Sequence, residues 1–99
     1  MNMQAMLKQA QKMQKDMLKT QEEINNTEFT GKSSLVTVKM MGNRDVKEVK
    51  IDAKDLEKDD IEVFEDMVLI AVNDALKQID KVTEEKMGAY TKGMPGGLF

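Results

Sequence analysis

Leu35-Val36-Thr37-Val38-Lys39-Met40-Met41-Gly42-Asn43-Arg44-Asp45-Val46-Lys47-Glu48-Val49-Lys50-Ile51 is the stretch that decides the fold. On both sides of a turn signal, apolar residues recur at every second position, the period of a half-buried strand. The reading is a strand from Leu35 to Met41, a Gly42-Asn43 hairpin turn of the type with glycine first, and an antiparallel return from Val46 to Ile51. A two-residue or a four-residue loop gives the same parity. Val36, Val38, Met40, Val49 and Ile51 therefore share one face, and Thr37, Lys39, Arg44, Glu48 and Lys50 the other. Thr27 to Thr30, ended by Gly31, reads as a short third strand. A sheet this small leaves an edge open to a partner strand unless something covers it.

On the N-terminal side the period becomes helical. Met3, Met6, Ala10, Met13, Met17, Thr20 and Ile24 alternate spacings of three and four, a heptad seam with no Pro or Gly in it. Gln, Lys, Leu and Ala fill the remaining positions, so a helix is expected from about Met3 to Asn25. At about 34 Å it is as wide as a whole domain of this size, and it outruns its own globule. Its seam needs either the C-terminal helix or a second copy of the chain.

On the C-terminal side, Asp52 to Asp60 reads as a short helical turn around Leu56, and Asp59 with Glu62 as a capping box opening a long helix. Ile61, Phe64, Met67, Val68, Ala71, Val72, Ala75, Ile79 and Val82 keep helical spacing to about Met87. Met67 to Val72 alone would suit a buried strand, but the length and flanks of the segment favour helix. Asp66, Asn73 and Asp74 are expected to make structural hydrogen bonds, and Gly88 onward, with Gly93, Pro95, Gly96 and Gly97, reads as a tail. The expected architecture is α+β: a single α-β-β-β-α domain over residues 1–90 with a flexible tail over 91–99.

Composition removes most enzyme classes. There is no His, Cys or Trp among the 99 residues, which excludes histidine acid/base chemistry, thiol catalysis and zinc sites with N or S ligands. Asp52, Asp55, Asp59 and Asp60 lack the spacing and glycine of a calcium loop. The first 25 residues are too polar for the apolar core of a signal peptide, so a cytoplasmic location is expected.

The net charge of -3 hides a segregated distribution. Residues 1–21 and 32–51 each carry +3, whereas 52–66 carries -6. In the first helix Lys8, Lys12, Lys15 and Lys19 are spaced 4, 3 and 4, and fall within roughly 60° of one another almost opposite the seam. Periodicity alone favours reading such a ridge as a solvated outer face, with phosphate contact as the alternative. Only Asp16 offers a carboxylate before Glu22, which is unusual for a surface that serves solubility alone. Gln4, Gln9, Gln11, Gln14 and Gln21 add neutral hydrogen-bonding groups, and Lys77, Lys81 and Lys86 make the far end of the second helix basic.

Val36-x-Val38, Gly42, Val46-x-x-Val49-x-Ile51-Asp52, Phe64-Glu65-Asp66-Met67-Val68, Ala71-x-Asn73-Asp74-Ala75, Glu85-Lys86-Met87 and Gly93-Met94-Pro95-Gly96 together resemble the YbaB/EbfC family, as does the opening Met6-Leu7-Lys8-Gln9-Ala10-Gln11. The resemblance covers essentially the whole chain. Ala53 stands where many members have Pro, and Gly88 and Tyr90 depart from the family's pattern at the end of the last helix. The resemblance implies a bacterial nucleoid-associated protein that binds DNA as a homodimer of tweezer-like shape, with helices projecting as arms. On that reading Lys8, Lys12, Lys15 and Lys19, supported by Lys77, Lys81, Lys86 and Lys92, contact phosphates of duplex DNA, and the acidic 52–66 segment faces away. No cofactor, metal, small-molecule substrate, membrane or catalytic residue is expected. Two other classes compete: an adaptor whose Met-rich seam receives amphipathic helices, and an enzyme using carboxylates and lysine. For the enzyme, no acid pair has an evident electrophile or nucleophile beside it.

Overall fold

The computed structural model of the chain describes residues 2–54 and 57–91. Helix α1 (Met3–Asn25) leads into strands β1 (Glu28–Ser33), β2 (Val36–Met41) and β3 (Val46–Ile51), and a 3-10 turn (Lys58–Asp60) runs directly into helix α2 (Ile61–Thr91). The sheet is antiparallel in the order β1-β2-β3. α1 starts where Asn2 Oδ1 accepts the Ala5 N–H at 2.8 Å, the N-cap bond that satisfies one orphan amide of the first turn. It ends at Asn26, whose N–H bonds Glu22 O, and the chain turns straight into β1.

α2 lies across one face of the sheet. Val36, Val38 and Met40 of β2 and Phe29 of β1 are buried against Phe64, Ala71, Ala75 and Ile79, the stripe of α2 that helical spacing singles out. Ile61, from the same series, stays 46% exposed. Two glycines allow the close approach. A Cβ on Gly31 would collide with Ala71 O and lie 2.7 Å from Ala75 N, and one on Gly42 would collide with Ile24 O. Gly31 is thus not the end of β1 but a buried position in its middle, because it is the spot where α2 meets the strand backbone.

The β2–β3 turn differs from expectation. The hairpin after β2 is a three-residue loop, with Arg44 N–H bonding Met41 O at 2.8 Å and Met41 N–H bonding Asp45 O at 2.9 Å. Its left-handed residue is Arg44 (φ 75°), not the glycine in first place; Gly42 serves contact with α1 instead. The turn between β1 and β2 places Ser34 at φ 50°. Pairing of Lys39 with Glu48 and of Met40 with Val46 leaves Lys47 as an extra bulged residue, and the expected face sharing of Val36, Val38, Val49 and Ile51 holds.

The cap that opens this helical segment lies upstream of Asp59, at the 3-10 turn that leads into α2. The 3-10 turn is capped by Glu57, whose N–H bonds Asp60 Oδ2 at 3.3 Å, so the reciprocal pair is Glu57 and Asp60 rather than Asp59 and Glu62. The turn expected around Leu56 falls outside the described residues. At its other end α2 continues through Gly88 to Thr91. A helix tolerates one glycine at a cost of about 1 kcal/mol, and here burial of Met87 and the Tyr90 hydroxyl, 3.4 Å from Thr20 Oγ1, hold the last turns against α1. Of the expected tail, residues 92–99 lie outside the described residues.

The two helices run antiparallel, and they overlap only in part. Ile24 is buried and Thr20 meets Tyr90, so the seam of α1 is covered by α2 at its C-terminal end. From Thr20 back to Met3, about 25 Å of helix runs past the end of described α2. Added to α2's own length of about 46 Å, this accounts for the 70 Å long dimension and for a radius of gyration of 19.4 Å, against about 13 Å for a compact chain of this length.

Gly31→Ala is expected to lower the unfolding free energy by about 3 kcal/mol, because backbone rather than a flexible side chain must move; a denaturant midpoint measures it. Along the α1 seam, Ile24→Ala is expected to cost about 3 kcal/mol. Met6→Ala, at a position 55% exposed in the single chain, is expected to stay within about 0.5 kcal/mol in the same assay at concentrations where the chain is monomeric.

Candidate nucleic-acid interface

Helical geometry puts Lys8, Lys12, Lys15 and Lys19 on one side of α1, and all four are exposed. The ridge lies opposite the seam, and the seam's buried end faces α2, so the ridge points away from the body. Lys8, Lys12 and Lys15 stand on the part of α1 that runs free. Every residue from Asn2 to Asp16 is exposed, including Met3, Met6 and Met13 on the seam side. The arm therefore has a cationic side and an apolar side, neither of them covered by the rest of the chain.

The ion pairs among the described residues lie elsewhere. Lys39 pairs with Glu48 at 3.5 Å, Lys47 with Glu28 at 3.5 Å, and Arg44 with Asp80 at 2.7 Å. None engages a ridge lysine. Four ammonium groups with no carboxylate of a described residue held against them remain available to an external anion, and their own repulsion is relieved when one binds.

The supporting lysines are not gathered into one surface. Lys77 and Lys81 are exposed, one helical turn apart on α2. Lys86, also exposed, lies nine residues beyond Lys77, half a revolution round the helix at about 100° per residue. Lys92 lies outside the described residues. The lysines of α2 thus flank the helix on both sides, whereas those of α1 form a line.

Arg44, beside the hairpin turn, takes a structural role. Its guanidinium pins the β2–β3 hairpin to Asp80 of α2 beside a cleft of about 840 Å³ that also contains Gln21, Asn25 and Glu84. The pair is half exposed, so it contributes no more than about 1 kcal/mol. With two acids to one base, the cleft repels phosphate. Among the described residues no cluster of Asp, Glu, His or Cys is placed to hold a metal ion.

Asp74 makes the structural bond expected of it. Its Oδ2 accepts the Lys32 N–H at 2.9 Å, and Gln78 Nε2 donates to Thr30 O at 2.8 Å. Together these two α2 side chains occupy the free edge of β1. Asp66 and Asn73 are exposed. What the sequence did not signal is that β3 would be left uncovered: Val46, Val49 and Ile51 are 43 to 51% exposed, because α2 covers β1 and β2 and stops there. Val63, Leu69 and Ile70 of α2 are exposed as well.

No helix among the described residues is long and apolar enough to cross a membrane. In its fold the chain is similar to the crystal structure of an uncharacterized Helicobacter pylori protein, with a TM-score of 0.72 at 22% identity, covering 94% of this chain and 99% of that one. In sequence it is similar to a nucleoid-associated protein of Lactococcus lactis subsp. cremoris strain MG1363, 56% identical over 97 residues that span 96% of this chain and 98% of the relative. A nucleoid-associated protein of Enterococcus faecalis strain ATCC 700802 / V583 is 48% identical over 97 residues, 96% of this chain and 93% of that one. Residues 1–94 match the YbaB/EbfC DNA-binding family, and the chain belongs to that family.

Proposed function

We propose that this chain is a non-enzymatic nucleoid protein that binds duplex DNA as a homodimer, with the lysine ridge of α1 as its main phosphate contact. The observation that carries the reading is the ridge itself: Lys8, Lys12, Lys15 and Lys19 in line on a projecting helix, exposed and outside every ion pair among the described residues. The match to a DNA-binding family and the names of the nucleoid-associated relatives support it. Lysine is a point charge on a flexible stem, suited to phosphate oxygens and poor at bidentate reading of bases, so little sequence preference follows. Lys77, Lys81, Lys86 and Lys92 are supporting contacts, and the acidic 52–66 segment faces away from the duplex.

The homodimer rests on apolar surface. Val46, Val49 and Ile51 on the uncovered strand, with Val63, Leu69 and Ile70 on α2, expose more hydrophobic side chains than a small monomer tolerates comfortably. A second copy would bury them and leave two α1 arms projecting, which is the tweezer-like form. One observation favours a second reading, an adaptor that receives amphipathic helices: Met3, Met6, Leu7 and Met13 are exposed on the arm.

The test is anisotropy titration of a mixed-sequence duplex at several salt concentrations, beside a light-scattering mass. The expected particle has twice the chain mass. If all eight ridge lysines of a dimer engaged phosphates, the logarithmic salt slope would approach about -7, an upper bound. Lys12→Glu with Lys15→Glu is expected to weaken binding at least roughly 100-fold at 50 mM salt, whereas Met6→Gln with Met13→Gln leaves it within about twofold. A dimer that ignores DNA at low salt would overturn the reading in favour of the adaptor.

A further inference from the structure

The sheet has a second face, away from α2, and the ridge reading makes no use of it. Register places Lys32, Thr37 and Lys50 in one row across the three strands, and Thr30, Lys39 and Glu48 in the next. Their strand neighbours Phe29, Gly31, Val36 and Val38 are buried under α2, so the alternation of the strands turns these rows outward. The six side chains line a shallow hollow of about 360 Å³.

Charge on this face is unevenly matched. Glu48 is taken by Lys39 at 3.5 Å, and further along the face Lys47 is taken by Glu28 at 3.5 Å. That end is neutral. Lys32 and Lys50 make no ion pair with a described residue, and they stand on either side of the Thr37 hydroxyl, with backbones about 10 Å apart at the strand spacing. Two like charges on the two outer strands, with no acid between them, add their fields over Thr37 and favour an anion laid across the row. Two ammonium groups with a hydroxyl donor between them match the chemistry of a phosphate backbone, where side-chain hydroxyls and lysines share the contacts. The +3 of residues 32–51, left unexplained by the α1 ridge, resides largely here.

We propose that the Lys32–Thr37–Lys50 row on the outer face of the sheet is a second contact surface for the phosphate backbone of duplex DNA, separate from the α1 ridge. It rests on the DNA-binding reading above and adds a surface to it. The ridge is carried on the arm, beyond the point where α1 meets the body, and the row is on the body itself. A chain using both touches DNA at two places.

The experiment uses the full chain and a 30-base-pair mixed-sequence duplex, with anisotropy read between 50 and 200 mM salt for the parent, Lys32→Gln/Lys50→Gln, Lys32→Arg/Lys50→Arg and Lys12→Glu/Lys15→Glu. Melting temperature checks that each variant is folded. Losing two phosphate contacts makes the salt slope shallower by about 1.8 for each chain whose sheet touches the duplex, so the glutamine variant loses about tenfold less affinity over that range than the parent. The arginine variant keeps the parent's slope. A glutamine variant with the parent's affinity and slope, while the ridge variant fails to bind, overturns the sheet surface and leaves the DNA-binding reading standing. Equal weakening of the arginine and glutamine variants also overturns it, since charge is then not what the positions supply. A parent that binds no duplex at 50 mM salt defeats both readings.

Discussion

The close approach of α2 to β1 is the constraint on which the rest of the structure depends. Gly31 lies directly beneath Ala71 and Ala75, where even one Cβ would meet the carbonyl of Ala71. Small residues on both sides bring helix and strand backbones into contact, and that contact sets where the larger side chains fall. Phe64 then covers Val36 and Val38 at one end, and Ile79 covers Phe29 and Met40 at the other. At this distance Asp74 and Gln78 reach the edge of β1 and take the Lys32 N–H and the Thr30 C=O, two groups that strand addition at that edge would need. β3 lies beyond the reach of α2 and keeps its apolar face bare.

A second close contact orients the arm. Gly42 sits against the carbonyl of Ile24, which places the β2–β3 hairpin under the end of α1. With Ile24 buried there and Thr20 beside Tyr90, α1 can leave the body in only one direction, antiparallel to α2 and past its described end. The left-handed backbone at Arg44 is tolerated in this hairpin although arginine has a Cβ, and its guanidinium reaches Asp80 from that position. Such a conformation costs about 1 kcal/mol or more, similar to what an exposed ion pair returns.

The body and the arm divide the charges between them. Within the body lysines and carboxylates meet across strands, at Lys39–Glu48 and Lys47–Glu28. On the arm the only acid before Glu22 is Asp16. A chain with net charge -3 therefore presents cationic surface on its most protruding element, and distribution rather than net charge governs how it meets a polyanion.

Much of this was written locally. The period of three and four along Met3 to Ile24 determined α1 to the residue, and the period of two around Gly42 determined the β2–β3 pair and its faces. The lysine ridge was equally legible, because helical phase follows from spacing alone. What failed to show locally was anything whose cause lies far away in the chain. Gly31 read as a strand end and Gly42 as a left-handed turn residue, because glycine looks the same in sequence whether it serves backbone freedom or clearance for Ala71 and Ile24. Gly88 read as a stop, and packing of Met87 and Tyr90 against α1 overrode it. The seam of α1 needed a partner, but only the tertiary structure decided that α2 covers its last turns and no more, since the length of that contact depends on where Gly31 and Gly42 anchor the two helices.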